Sequence, residues 1–160
     1  MSNLRQRAAE GLRVGDRFTI TRRFTPAEIT SFANLSRDYN PVHCDGDYVK
    51  LKGLRAPIAH GLLTASLITE IGGQVGWLAR SMTFQFKRPV YADETLTCDL
   101  LICELDEKGR AKAKVNVTND EGIVVLEAEI TGVLPNEAER RRLAEMLAEG
   151  DPTNGVTFNA

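Results

Sequence analysis

The sequence predicts an α+β fold, in which one apolar helix packs on an antiparallel sheet, and two observations support this class. Between residues 61 and 71 the apolar side chains recur at helical spacing, and the only charged residue there is Glu70. From Trp77 onward the apolar residues instead alternate with period two along successive stretches. A length of 160 residues, 42% of them hydrophobic, fits one globular domain with its own core.

The first half of the chain carries one strand signal and two helix signals before the apolar helix. Residues 17–24 alternate well enough for a first strand. A helix then begins after Thr25 as N-cap, with Pro26 at the first helical position and Glu28 placed for a capping box. Residues 45–53 indicate a short capped helix or a turn.

The second half is dominated by strands. The apolar helix is predicted to close at Gly72 and Gly73. Four strands follow, at residues 81–86, 95–105, 112–118 and 123–134. Hairpin turns are predicted at Lys108-Gly109 and at residues 120–122. After Pro135 a charged amphipathic helix is predicted over residues 136–149, followed by a polar tail that we expect to be loose.

Asp38 and His43 lie five residues apart across an Asn-Pro break that follows the first predicted helix. Pro41 has no N–H to donate and pushes Asn40 toward extended geometry, so the helix must stop before it and the two side chains lie on a bent connection. A carboxylate and an imidazole aimed at one water molecule could act as an acid/base pair. On spacing alone, an Asx-type turn with a surface histidine is the simpler interpretation.

His60 and Gly61 stand at the start of the apolar helix. The free N–H groups of a first helical turn can bind an anion or an oxyanion, and a glycine lets a ligand approach them. For this motif alone the simpler interpretation is a core helix in which Gly61 allows close packing and His60 is a structural histidine.

Composition excludes several classes of function. A net charge of -2, from 20 basic and 22 acidic residues, gives no overall attraction to nucleic acid or to a membrane. No apolar run approaches the roughly 18 residues of a membrane helix, and the first residues are polar and resemble no secretory signal. We therefore expect a cytoplasmic protein.

The three cysteines, Cys44, Cys98 and Cys103, are odd in number and lack CxxC spacing. They indicate neither a disulfide framework nor a zinc site. Cys44 follows His43, but neighbours in an extended segment point to opposite sides, which argues against a thiol nucleophile.

Together the two motifs resemble the MaoC-like hydratases, also called the R-specific enoyl-CoA hydratase or hydratase 2 family. The shared pattern runs from Ala33-Asn34-Leu35-Ser36 through Asp38-x-Asn40-Pro41-x-His43 to His60-Gly61-x-Leu63. The resemblance implies a hot-dog fold, an antiparallel sheet wrapped around a long central helix. Residues 1–135 are expected to form this single domain, followed by the C-terminal helix and tail at 136–160. It also implies a homodimer. One departure is Arg37, where many members have glycine.

The activity that the resemblance implies is the reversible hydration of trans-2-enoyl-CoA to (3R)-3-hydroxyacyl-CoA, without a cofactor or a metal. Asp38 and His43 would be catalytic and hold one water molecule between them. The backbone N–H of Gly61 would stabilise the enolate-like thioester oxygen. Asn40 would shape the loop and contact the substrate. Which of Asp38 and His43 makes each proton transfer stays open.

An acyl tail would run along the apolar helix past Thr69 and Gly72, two and three turns beyond Gly61. Gly72 would leave room for more than four carbons, or it would simply end the helix. The acyl chain would arrive as a thioester of CoA or of acyl-carrier protein. Candidate contacts for the CoA phosphates are Arg55, Lys87 and Arg88.

Two other functions remain open at this point. A hot-dog thioesterase would use a carboxylate to direct water at the thioester carbonyl, and the order Asp-x-Asn-Pro-x-His argues against it. A non-catalytic module that binds acyl thioesters is disfavoured because Asp38, His43 and Gly61 are all present.

Overall fold

A computed structural model describes residues 4–154, and in it a five-stranded antiparallel sheet covers one long helix. The helices are α1 (Leu4–Glu10), α2 (Pro26–Ser36), α3 (Gly46–Leu51), α4 (Gly61–Val75) and α5 (Glu137–Ala148). The strands are β1 (Arg17–Arg22), β2 (Leu78–Phe86), β3 (Leu96–Leu105), β4 (Arg110–Thr118) and β5 (Val124–Val133). This is the α+β, hot-dog arrangement that the sequence predicts.

The sheet has the strand order β1-β3-β4-β5-β2, and every neighbouring pair is antiparallel. The two predicted hairpins join β3 to β4 and β4 to β5, whereas β2 pairs with β5 and not with β3, the next strand along the chain. These turns close where expected, because the N–H groups of Gly109 and Gly122 donate to the carbonyls of Asp106 and Asn119, each at 3.0 Å. Both glycines have positive φ, 76° and 75°, which residues with a side chain rarely adopt.

Helix α4 packs its apolar face against the inner face of the sheet. Leu67, Ile68, Ile71 and Val75 are fully buried there, in one core with side chains from β1, β3, β4 and β5. Burying each such side chain contributes about 1.5–3 kcal/mol. The core therefore fixes the position of α4 and, with it, the position of the first turn of this helix.

The predicted end of α4 is wrong by one turn. The helix continues through Gly72 and Gly73 to Val75, and Gly76 forms the left-handed C-cap with φ 70°. Each glycine costs the helix about 1 kcal/mol relative to alanine. The burial of Val75 outweighs that local preference, because tertiary packing contributes more to helix stability than propensity does.

Helix α1 was not predicted, and it packs against α5 and α4. Its side chains Leu4 and Ala8 are buried in the core. The tail after α5 was expected to be loose from Gly150 onward. Residues 151–154 instead form a turn whose Asp151 pairs with Arg5 of α1, and residues 155–160 of the predicted tail lie outside the described residues. The expectation was therefore wrong for the described part of the tail.

Between residues 4 and 154, none of the helices has the length and apolar character needed to cross a membrane. The three cysteines are free thiols. Cys98 is buried on the inner face of β3, and this burial raises the pKa of its thiol to about 12. A thiol with so high a pKa is not a nucleophile at neutral pH.

Candidate active site

Helix α2 delivers the chain to the loop that carries Asp38. The predicted capping box is confirmed, since Thr25 Oγ1 accepts from the N–H of Glu28 and a carboxylate oxygen of Glu28 accepts from the N–H of Thr25. The helix ends at Ser36 because Arg37 adopts a left-handed conformation, with φ 59°. A position with this φ suits glycine. Having arginine at residue 37, where many members have glycine, therefore affects the backbone conformation as well as the side chain.

The loop from Asp38 to His43 is built by side-chain to backbone hydrogen bonds. Asp38 Oδ1 accepts from the N–H of Asn40 at 3.2 Å, which is an Asx turn. Asn40 Oδ1 accepts from the N–H of Val42 at 3.3 Å and caps a 3₁₀ turn, Pro41–His43. The simpler interpretation of the sequence is thus correct for one oxygen of Asp38, and it leaves the other oxygen, Oδ2, free to face His43.

His43 is held by a backbone carbonyl. Its Nδ1 lies 2.7 Å from the oxygen of Ile58. A carbonyl can only accept, so the hydrogen is on Nδ1 and neutral His43 has its lone pair on Nε2. Nε2 lies 3.8 Å from Oδ2 of Asp38, beyond the reach of about 3.2 Å of a direct hydrogen bond but within reach of one bridging water. The side chain of His43 is 9% exposed and that of Asp38 is 50% exposed.

His60 contacts both members of this pair, and sequence reasoning did not assign it a site role. Its ring stacks on the ring of His43 with centroids 3.7 Å apart, and its Nε2 lies 3.1 Å from the backbone oxygen of Asp38. It is 1% exposed and also packs on Phe32. The structural role predicted for His60 fits these contacts. The one sign in the sequence that His60 belongs to the site was its position directly before Gly61 in the shared pattern.

Asp38, His43 and His60 are also the one group between residues 4 and 154 whose ligand atoms lie close enough for a metal ion, within 4.8 Å of one another. The geometry fits hydrogen bonding better. Stacked rings at 25° hold their nitrogen lone pairs in nearly parallel planes, which do not converge on one ion. Nδ1 of His43 and Nε2 of His60 are engaged with the carbonyls of Ile58 and Asp38, so the lone pairs are on Nε2 of His43 and on Nδ1 of His60, which is buried and has no hydrogen-bond partner among the described residues.

Gly61 is the first residue of α4, next to His60. The N-cap His60 makes no side-chain hydrogen bond to the first turn, so no side-chain cap covers those N–H groups. A Cβ on Gly61 would lie 2.7 Å from the ring of Phe86. The packing interpretation of Gly61 is therefore correct, because the ring of Phe86 fills the space that a side chain would take.

Thr69 and Gly72 lie further along α4, beside a cavity of about 160 Å³. A Cβ on Gly72 would meet open space. The other residues that line the cavity are apolar or glycine: Ile68, Gly73, Trp77, Ala79, Met82, Leu100 and Ile130. The structure thus brings Asp38, His43 and Gly61 together through His60, and it places Thr69 and Gly72 at a separate, apolar position.

The three candidate phosphate contacts differ in their pairing. Arg55 donates to Glu94 at 2.7 Å, and Lys87 lies 2.9 Å from Glu127. The guanidinium of Arg88 donates to the carbonyl of Lys87 at 2.8 Å and forms no ion pair with the described residues. Arg88 is therefore the cation most available to an incoming phosphate.

Comparison with known proteins gives matches over most of the chain. Residues 10–124 match the family described as the MaoC-like domain. The chain is 30% identical over 133 residues to the (R)-specific enoyl-CoA hydratase of Aeromonas caviae, covering 80% of this chain and 99% of that protein. It is 31% identical over 131 residues to a mitochondrial 3-hydroxyacyl-[acyl-carrier-protein] dehydratase of Arabidopsis thaliana, covering 78% and 79%.

Solved structures show the same likeness. The (R)-hydratase from A. caviae superposes with a TM-score of 0.73 at 30% identity, covering 79% of this chain and 99% of that one. An R-hydratase from Pseudomonas aeruginosa superposes with a TM-score of 0.74 at 30% identity, covering 81% and 86%.

Proposed function

The chain belongs to the MaoC-like dehydratase family and is a hydro-lyase, and on that premise we propose that it hydrates trans-2-enoyl-CoA reversibly to (3R)-3-hydroxyacyl-CoA. The observation that carries the proposal is the 3.8 Å gap between Oδ2 of Asp38 and Nε2 of His43, beside the start of α4. The chain is about as similar to a 3-hydroxyacyl-[acyl-carrier-protein] dehydratase, which supports the same reaction on thioesters of acyl-carrier protein.

In the proposed mechanism one water molecule binds between Asp38 and His43. Nε2 of His43 accepts a proton from the water as its oxygen bonds to the β-carbon, because the Nδ1–H bond to the Ile58 carbonyl leaves the lone pair on Nε2. Asp38 Oδ2 accepts the second hydrogen bond of the water and stabilises the imidazolium. The imidazolium then returns the proton to the α-carbon on the same face, so both enzyme groups end in their starting state.

Gly61 serves the thioester oxygen. As water adds, negative charge develops on that oxygen, and the N–H of Gly61 at the positive end of α4 stabilises it. One such donor is worth about 10²- to 10³-fold in rate. The ring of Phe86 packs against Gly61 where a side chain would stand, and no side-chain cap covers the first-turn N–H groups that this role needs.

The acyl tail occupies the apolar cavity beside Thr69 and Gly72, in this proposal. The cavity is lined almost wholly by apolar groups, which suits a hydrocarbon tail. Gly72 leaves open space there, and this supports chains longer than four carbons. Arg88 is the proposed contact for a phosphate of CoA, or for the phosphopantetheine of a carrier protein.

The active form is proposed to be a homodimer in the cytoplasm. Strand β2 is at the edge of the sheet formed by residues 4–154, and its Leu78 and Phe86 are 75% and 55% exposed. An exposed apolar edge strand favours pairing with another chain. A second copy on β2 would bury this surface. The free thiols suit a reducing compartment.

The test is to supply crotonyl-CoA and follow the absorbance of the conjugated enoyl thioester together with free thiol. Hydration predicts loss of absorbance without thiol, and the product must be the (3R) alcohol by chiral analysis. Release of thiol would identify a thioesterase instead, and no change in either signal would leave a binding module. Repeating the assay with crotonyl-acyl-carrier protein compares the two handles by kcat/KM.

A further inference from the structure

Helix α1 and the turn after α5 meet at the C-terminal end of α4. The guanidinium of Arg5 donates to the carbonyl oxygens of Gln74 and Gly73, each at 3.3 Å, and to Thr153 Oγ1 at 2.8 Å. The same group forms an ion pair with Asp151. Arg5 is 6% exposed and the side chain of Asp151 is 4% exposed. We call Arg5, Asp151 and Thr153 the Arg5 clamp.

Each contact of the clamp meets a physical need. The last carbonyls of a helix have no partner within it, and Arg5 donates to two of them. A cation is favourable at the negative end of a helix. A buried guanidinium is costly unless it is paired, and Asp151 pairs it. Gln74 adds a further tie, because its Nε2 donates to the carbonyl of Thr153 at 2.8 Å.

The clamp acts on the weakest part of α4. Gly72 and Gly73 lie in its last turn, and glycine is the poorest helix former after proline. Gly73 connects the clamp to the cavity, since it lines the apolar cavity and its carbonyl accepts a hydrogen bond from Arg5. If the last turn unwound, the cavity would lose the wall formed by Gly72 and Gly73. The clamp holds that wall in place.

From these contacts we infer that the Arg5 clamp determines acyl-chain selectivity, by holding the far wall of the acyl cavity. The inference rests on the proposed function in one respect only, that the acyl tail enters this cavity. Arg5 and Asp151 are positioning residues outside residues 10–124, the stretch that matches the family. The selectivity they confer would therefore come from residues outside the stretch that matches the family.

The length of α4 determines which acyl chains are long enough to be affected by the clamp. Gly72 lies eleven residues beyond Gly61, which is about 16 Å along the helix axis. A carbon chain extends by about 1.25 Å per carbon, given a C–C bond of about 1.5 Å. A butyryl chain therefore stops well short of Gly72, whereas a dodecanoyl chain approaches it. Removing the clamp should weaken the binding of long chains and spare short ones.

The experiment uses binding, so it does not depend on catalysis. Trp77 is the only tryptophan of the chain and lines the cavity, so its fluorescence reports occupancy. Wild type, Arg5→Leu, Arg5→Lys and Asp151→Asn are each titrated with butyryl-CoA and with dodecanoyl-CoA below its micelle concentration. The matched control is Arg7→Leu, because Arg7 lies on the same helix but donates to Asp16 and to the Arg17 carbonyl.

Each buried methylene strengthens binding about fourfold, so losing contact with one or two of them should raise the Kd of dodecanoyl-CoA by about 4- to 15-fold. The Kd of butyryl-CoA should stay within about twofold of wild type. Arg5→Leu should show the larger effect, and Arg5→Lys and Asp151→Asn should show part of it. Arg7→Leu should leave the ratio of the two Kd values unchanged. Faster amide hydrogen exchange at Gly76 and Trp77, whose N–H groups both donate to the Gly72 carbonyl, should accompany the loss.

An equal weakening of both ligands in every clamp variant, or an unchanged ratio in all of them, would overturn the inference. So would wild-type protein that binds both thioesters with equal affinity, since the tail would then not reach the cavity. These outcomes are separate from the crotonyl-CoA assay. A protein that fails to hydrate crotonyl-CoA but still shows the clamp-dependent Kd ratio would refute the proposed reaction and support the clamp.

Discussion

The orientation of His43 depends on its contact with a backbone carbonyl. Because Nδ1 donates to Ile58, the ring has one orientation and one tautomer, and Nε2 faces Asp38. The bent loop was predictable from the sequence, since Pro41 and Asn40 act locally. The Ile58 carbonyl lies 15 residues along the chain and the stacking of His60 depends on α4, so neither contact could be predicted from local signals.

Replacing either member of the pair should remove most of the activity without unfolding the protein. Asp38→Asn and His43→Gln should each lower kcat by about 10²- to 10⁴-fold, because His43→Gln removes the proton acceptor and Asp38→Asn removes the charge that stabilises the imidazolium, each with little change in side-chain size. The measurement is kcat for crotonyl-CoA hydration, with circular dichroism as the check on folding. Asp47→Asn is the matched control, since Asp47 is an exposed carboxylate in α3 that pairs with Lys50. Near wild-type kcat in either site variant would remove that residue from the mechanism.

His60 should affect the chemical step through the residues it holds. His60→Phe keeps a ring to stack on His43 but leaves the carbonyl of Asp38 without its donor. The loss of one hydrogen bond of about 1–1.5 kcal/mol corresponds to about a tenfold lower kcat, with KM within about twofold. Steady-state kinetics at several pH values give both constants and the pH profile. A rise in KM at unchanged kcat would contradict a positioning role.

At the scale of secondary structure, local signals and packing decided different features. The start of α2 was predictable because Thr25, Pro26 and Glu28 act within one turn. The end of α4 was not, because the contacts that hold its last turn come from Arg5 and from the core around Val75. Helix α1 was missed for the same reason. Its sequence is short and polar, and its packing against α4 and α5 is what stabilises it as a helix.

Gly132, in β5, has no room for a side chain. A Cβ there would overlap the carbonyl oxygen of Leu78 and the indole of Trp77, next to the irregular pairing at Ala79 and Ser81. Gly132→Ala should therefore lower the free energy of unfolding by about 1–3 kcal/mol, measured by urea denaturation.

Gly46→Ala serves as the control for this change, because a Cβ on Gly46, the first residue of α3, meets nothing within 4 Å. Its free energy of unfolding should stay within about 0.5 kcal/mol of wild type. An equal loss in both variants would show that the effect belongs to glycine in general and not to the crowded junction of β2 and β5.

On the scale of the whole molecule, the sheet, α4 and the added helices form one core, and the clamp joins the two ends of the described chain. Hydrogen bonds from the hydroxyl and N–H of Thr153, and then the guanidinium of Arg5, lower the pKa of Asp151 below its usual range. A carboxylate whose pKa is lower in the folded state stabilises the fold above its unfolded pKa of about 4 and loses that contribution as the pH falls through the folded value.

Asp151→Asn should accordingly have a lower melting temperature than wild type at pH 7. The difference between the two should shrink as the pH is lowered below about 4, because wild-type Asp151 then becomes protonated and loses the same interaction. Thermal unfolding of both proteins at a series of pH values is the measurement. A gap that is constant, or that widens toward acid, would show that the carboxylate charge is not what stabilises this contact.

The ion pair of the clamp has a further consequence for how the protein is made. Arg5 leaves the ribosome early, whereas Asp151 follows it 146 residues later. Closing so long a loop carries an entropic cost that only an otherwise assembled domain can offset. Until Asp151 is made, we expect the guanidinium to stay hydrated and the last turn of the central helix to lack the contacts that Arg5 makes with it. If the cavity beside Gly72 and Gly73 binds the acyl tail as proposed, its far wall would form last, and a nascent chain that stops short of Asp151 would have the loop of Asp38 and His43 before it has a defined binding site for long tails.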